Sequence, residues 1–157
     1  MYIHTFVNMK LEDEIKQAKF KSEKEKAMIN LLFTYNWVTT RNSRVAKEFG
    51  LSMQQFNVLR ILKGQKGNPA SVKLIAERML DKSSNVSRLI DKLYDKKLVD
   101  RQFCEHDRRQ VDIFITKEGI KHIDEASKVS ESEMGKLNLS EKDAKTLNRI
   151  FDAMREE

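Results

Sequence analysis

The chain has 157 residues, 39% of them apolar and 34% charged, with one Pro, five Gly and one Cys. That length suits one domain, or one small domain with helices packed on it, and needs no disulfide or metal staple. The composition excludes collagen-like, Pro-rich and Gly/Ser-linker chains. No apolar run is long enough to cross a bilayer, and the first residues lack the pattern of a secretory leader, so a cytoplasmic protein is expected.

The net charge is +6. An excess of this size suits a polyanion such as DNA, and it suits ordinary solubility equally well. Its distribution is more useful. Residues 1–50 carry 9 basic and 6 acidic groups, 51–70 carry 3 and 0, 71–115 carry 10 and 8, and 116–157 carry 8 and 10. The acidic tail is therefore a poor polyanion contact, and position must decide for the middle.

From Leu11 to about Phe49 the pattern is helical, with Met28, Leu31, Leu32, Tyr35 and Val38 at steps of three and four, and Gly50 suited to end it. Ser52-Met53-Gln54-Gln55 has capping-box spacing before Phe56, Leu59 and Leu62. Gly67-Asn68-Pro69 is a turn cluster, and Ser71 is placed to cap a short helix carrying Val72, Ile75, Ala76 and Met79. Residues 81–84 interrupt the stripe. A helix from about Ser83 to Lys97 follows, with Val86, Leu89, Ile90 and Leu93 on one face.

After Leu98 the period changes to two. Val99, Arg101 and Phe103 alternate with polar neighbours, as do Val111, Ile113 and Ile115, with the polar segment 104–110 between them. Two such runs read as a β-hairpin. Thr116 caps a further helix with Ile120, Ile123, Val129 and Met134, and Leu137-Asn138-Leu139 breaks it. Ser140 with Asp143 reads as another cap, before a stripe of Ala144, Leu147, Ile150, Phe151 and Met154.

Two helices followed by a hairpin over 52–115 read economically as a helix-turn-helix with a wing. The polar positions at the start of the second helix are Ser83, Ser84, Asn85, Ser87, Arg88 and Lys92. Short Ser and Asn side chains allow close approach to base edges or phosphate, and Arg88 can pair bidentately with guanine. In isolation this is an ordinary solvated face. The hairpin shifts the balance, because Arg108 and Arg109 lie at its tip and Arg101 on its first strand. A narrow minor groove attracts inserted Arg. Asp107 among these cations would repel phosphate unless paired, so it is expected to brace the wing by holding Arg109 or Arg101.

Leu59-Arg60-Ile61-Leu62, Ile75-Ala76-Glu77-Arg78-Met79, Ser87-Arg88-Leu89-Ile90-Asp91-Lys92-Leu93 and Cys104-Glu105-His106-Asp107-Arg108-Arg109-Gln110 together resemble the MarR family of bacterial winged-helix regulators. Ile113-Phe114-Ile115-Thr116-Lys117-Glu118-Gly119 matches the strand and helix start that follow the wing. The resemblance is strong over about 52–120. It implies Ser83, Ser84, Asn85, Ser87 and Arg88 as a major-groove face, Arg109 in the minor groove, Asp107 bracing the wing, and a dimer joined by the N- and C-terminal helices. Lys97 departs from it, standing where the family often has Gly, and so does His106 in the wing tip.

Met28, Leu31, Leu32 and Tyr35, with Leu147, Ile150, Phe151 and Met154, offer more apolar surface than a small winged helix needs. They fit a two-fold interface or the closure of a monomer core. Trp37, Tyr35, Phe33 and Phe49 fit core packing, or a small-molecule pocket near the junction where the family's inducers bind. Cys104 reads as a small apolar residue at a strand end rather than a redox sensor. Cys104 and His106 are too few to hold a metal, and no nucleophile or phosphate-loop motif occurs, so neither metal, cofactor nor enzymatic activity is expected.

The expectation is a mainly α protein: N-terminal dimerisation helices over 1–50, a winged helix-turn-helix with a small two-stranded wing over 51–115, and C-terminal dimerisation helices over 116–157. Its function would be that of a homodimeric, sequence-specific regulator, a repressor, on a pseudo-palindromic duplex, released by a small-molecule effector. The rival is a winged helix that docks another protein and never touches DNA.

Overall fold

The computed structural model describes residues 10–103 and 111–156. The chain separates into two compact units, Met1–Met53 and Gln54–Glu157. In the first, the single helix expected over Leu11–Phe49 is divided into α1 (Leu11–Glu14) and α2 (Glu23–Glu48). The cause is local. Lys16 takes a left-handed conformation at φ 56°, which turns the chain out of the helix. Ser22 then restarts it: its hydroxyl accepts from the Glu25 amide at 3.1 Å, and the Glu25 carboxylate accepts from the Lys21 amide at 2.5 Å, close to a capping box. A Lys26–Glu12 ion pair ties the two helices. The hydrogen bond from Lys26 holds the Glu12 carboxyl below its ordinary pKa and raises that of Lys26 in return.

At the end of α2, Gly50 sits at φ 65°; its amide donates to Lys47 O and that of Leu51 to Ala46 O, both at 2.9 Å. This pair of bonds satisfies the last carbonyls of the helix, and Gly meets the required backbone without steric cost. Among the aromatics of this unit, Tyr35 and Trp37 are exposed, with the Arg41 guanidinium over the Trp37 ring at 4.8 Å. Neither is packed in a core.

The second unit carries nearly all of α3 (Met53–Lys63), then β1 (Ala70–Ser71), α4 (Val72–Arg78), α5 (Val86–Asp95), β2 (Val99–Phe103), β3 (Val111–Ile115), α6 (Lys117–Gly135) and α7 (Glu141–Ala153). The hairpin expected from the period-two runs forms with register Val99↔Ile115, Arg101↔Ile113 and Phe103↔Val111. Both runs thus turn the same residues to the same face. A third strand joins on the other edge of β3, giving the order β1-β3-β2, with Ala70 opposite Ile113 and Ser71 opposite Asp112. Two residues are too few for an alternation to declare itself, so this strand left no mark on the sequence pattern.

The core is drawn from the predicted stripes. Phe56, Leu59 and Leu62 of α3, Ile75 of α4, Val86, Ile90 and Leu93 of α5, Val99 and Ile113 of the hairpin, and Ile123 of α6 are all buried. Each such aliphatic side chain contributes about 1.5–3 kcal/mol by leaving water. Ser71, Thr116 and Ser140 cap α4, α6 and α7, accepting from Leu74, Gly119 and Asp143 amides at 3.1, 2.9 and 3.2 Å.

One joint sets the wing against the helices. Lys97, at φ 60°, closes α5 with its amide on Tyr94 O (2.8 Å), and the Leu98 amide reaches Leu93 O (3.0 Å). Thr116 Oγ1 donates to Lys97 O at 2.8 Å, and the Thr116 amide to Leu98 O at 3.1 Å. The start of α6 presses so closely on this loop that a Cβ on Gly119 would stand 2.1 Å from the Leu98 carbonyl oxygen. Only Gly fits there. No helix among the described residues is long and apolar enough to cross a membrane.

Candidate nucleic-acid interface

The helix pair α4 and α5 is joined by a polar turn whose form follows from side chain to backbone bonds. Asp81 Oδ1 accepts from the Ser83 amide at 3.0 Å and from its hydroxyl at 2.6 Å, an Asx turn. The Ser83 hydroxyl, and then its amide, hold the Asp81 carboxyl below its ordinary pKa. Lys82 Nζ donates to Glu77 O at 2.5 Å, placing a cation on a carbonyl in the last turn of α4. Met79 is buried in the turn while its neighbour Leu80 is 88% exposed.

Here the expected boundary moves. Helix α5 starts at Val86, not near Ser83, because Asn85 is its N-cap: the Asn85 side-chain oxygen accepts from the Arg88 amide at 3.1 Å. Asn is among the strongest cap formers, and the Asx turn before it already fixes 81–83 out of the helix. Ser83, Ser84 and Asn85 therefore lie in the approach to α5, with Ser87, Arg88 and Lys92 on the helix, exposed.

The exposed side of α5 carries two rows. Ser87, Asp91 and Tyr94 face a cavity of about 450 Å³ between α5 and the hairpin, which Arg101 and Phe103 of β2 also line. Arg88, Lys92 and Asp95, each one position further round, form the second row. The first row borders the wing, and the second lies outside that cavity; both are exposed.

Arg101, expected among the DNA-contacting cations, has partners inside the fold. Its Nη2 donates to the Asp91 carboxylate, and its guanidinium lies over the Tyr94 ring at 4.9 Å. Sequence reasoning missed Asp91 as a partner. The signal lay in its place on α5, four residues after Ser87 and one turn from Tyr94, on the row that meets β2. Asp107, Arg108 and Arg109, with Cys104 and His106, lie outside the described residues. Among the described residues no cluster of His, Cys, Asp and Glu could hold a metal.

The residues assigned to an interface between copies divide as follows. Leu147, Ile150 and Met154 of the α7 segment are 38%, 40% and 50% exposed, Phe151 is half-buried, and α7 has no buried residue. On α2, Met28, Leu32 and Tyr35 are exposed, with Leu31 half-buried.

Residues 49–110 match the model of the MarR family. The HTH-type transcriptional regulator MgrA of Staphylococcus aureus is 29% identical over 110 residues, covering 70% of this chain and 74% of MgrA. Among solved structures, a MarR transcription factor from Planctomyces limnophilus is 28% identical and superposes with a TM-score of 0.63 over 87% of this chain and 98% of its own. The S. aureus MepR–DNA complex superposes with a TM-score of 0.70 at 19% identity, over 81% of this chain and 92% of MepR, a likeness of fold.

Proposed function

We propose that this chain is a DNA-binding transcriptional regulator of the MarR family, and that it acts as a two-fold symmetric dimer on a pseudo-palindromic duplex. The observation that carries the proposal is the placement of α5. Its apolar face is sealed in the core while Ser87, Arg88 and Lys92 stand exposed, and the β2–β3 wing is packed beside it in the same unit. Helix α5 enters the major groove, where Arg88 reads guanine and Ser87 a neighbouring base edge, and Lys92 meets phosphate. Ser83 and Asn85, at the positive end of the helix dipole, lie against the phosphate backbone, whereas the Ser84 hydroxyl is buried and drops out of the expected contact face. Arg108 and Arg109 supply the wing's approach to the minor groove, with Asp107 bracing it.

Dimerisation is supported by α7, which has no buried residue and whose apolar stripe is only partly covered, and by the exposed apolar residues of α2. Pairing such stripes about a two-fold axis sets the two α5 helices roughly 34–36 Å apart, one turn of DNA. A dimer seated there excludes other proteins from the same stretch of DNA, and repression is the sign we propose.

Two measurements test this together. Fluorescence anisotropy of labelled duplex over rising salt is expected to give a steep fall in affinity, as counterions displaced by Lys and Arg compete back. Sedimentation at micromolar concentration is expected to give twice the chain mass. Absence of duplex binding at low salt would sink the reading in favour of a module that docks another protein.

A further inference from the structure

We infer that Asp91, Arg101 and Tyr94 form a latch that sets the pose of the wing against α5, so that Arg101 is a positioning residue for DNA selection and not a DNA contact. The inference rests on the DNA-binding reading above and revises which residues serve it.

The geometry leads there in three steps. First, α5 and the hairpin share buried side chains on their inner side, whereas on their outer side an open groove of about 450 Å³ lies between them, so packing there leaves their angle free to be set by a bridging side chain. Second, what spans the gap is Arg101. Its Nη2 holds Asp91 on one row of α5 and its plane covers Tyr94, one turn further along. A planar guanidinium held at its edge by a carboxylate and at its face by a ring has little freedom left, which an ammonium in its place would keep. Third, the Arg101 side chain is one-third exposed and its Nε is buried without a hydrogen-bond partner. Ion pairs this open to water add little to stability. The latch therefore fixes an angle rather than a fold. That angle matters because α5 and the wing address adjacent grooves, and a swing of the hairpin about its base grows with distance from Arg101.

The test uses the full chain and two probes: a duplex selected by the unaltered protein from a random pool, and a scrambled duplex of the same composition. Asp91→Asn removes a negative charge from a helix that faces DNA. Electrostatics alone therefore predicts tighter binding to both duplexes. The latch predicts opposite directions. Asp91→Asn, Arg101→Gln and Arg101→Lys are each expected to weaken binding to the selected duplex by about tenfold, with affinity for the scrambled one unchanged or raised. The double variant Asp91→Asn/Arg101→Gln is expected to be no weaker than either single one, and the salt dependence of Arg101→Gln to match the unaltered protein. Thermal midpoints are expected to stay with that of the unaltered protein.

The inference is overturned if Asp91→Asn tightens both duplexes alike while Arg101→Gln lowers the salt slope by about one, the mark of a phosphate contact. It is also overturned if the midpoints fall together with both affinities, the mark of a merely structural pair. Failure of the unaltered protein to select any duplex overturns the regulator reading itself, and that result is seen before any variant is made.

Discussion

Helices α5 and α7 are both amphipathic, and the molecule uses them in opposite ways. On α5 the apolar face is sealed by Val86, Ile90 and Leu93, and the polar face is left to the outside. On α7 nothing is buried, and the apolar residues Leu147, Ile150 and Met154 of that segment stay partly exposed. An apolar stripe is a demand for a partner surface. For α5 the unit meets the demand, and the polar side becomes available for recognition. For α7 the unit meets it only in part, and a second copy is the surface we propose. The contrast is what supports the proposal of reading on α5 and assembly on α7.

The largest expected effect breaks the α7 side. Ile150→Asp puts a charge into the proposed interface twice, because two-fold symmetry repeats every substitution. An unpaired polar group buried there costs roughly 2–3 kcal/mol, so the dimer is expected to lose about 5 kcal/mol. Sedimentation should show monomer, while helix content is retained because Ile150 is not one of the buried core residues. A dimer that survives the change would detach α7 from assembly.

Leu93→Ala attacks the sealed side of α5. Leu93 is fully buried, and truncation of such a residue costs about 2–5 kcal/mol through lost burial and the cavity left behind. The unfolding free energy from denaturant titration should fall by that amount. The two substitutions thus separate cleanly: one changes mass and spares the fold, the other changes stability.

On the polar side of α5 the effect is smaller and changes neither. Arg88→Ala is expected to cost about 1–3 kcal/mol in duplex affinity and to relax base preference. A competition assay in which operator selectivity survives would remove Arg88 from the reading face.

How far this contrast could be read in the sequence depends on the residue type. The stripes of α5 and α7, the hairpin register and the caps at Ser71, Thr116 and Ser140 were all legible, because period and capping chemistry act locally. The start of α5 was misplaced by three residues. Ser83 and Asn85 are both good caps, and only the Asp81–Ser83 bonds decide between them. The break between α1 and α2 was hidden because Lys16 gives no sign of a left-handed backbone, although Ser22 and Glu25 stood in view. The partner of Arg101 was sought along the chain at Asp107, when the fold supplies Asp91 from across the gap.

Lys97 is the smallest lever on the comparison and touches the way the two helices end. Helix α7 closes at Met154 in ordinary helical geometry, whereas α5 closes through Lys97 in the left-handed region, with bonds from the Lys97 and Leu98 amides to Tyr94 and Leu93. At the equivalent place after α2 the chain uses Gly50, at nearly the same φ. A Lys there carries a Cβ penalty of about 1–2 kcal/mol, against which Gly carries a larger entropy loss on folding, roughly 0.5–1 kcal/mol. Lys97→Gly is therefore expected to stabilise the fold by about 0.5–1 kcal/mol, raising Tm by roughly 1–4 °C. Gly50→Lys should lose a similar amount. If both substitutions shift stability in the same direction, the left-handed caps are not what fixes these helix ends, and the Thr116 bonds to Lys97 and Leu98 must close α5 instead.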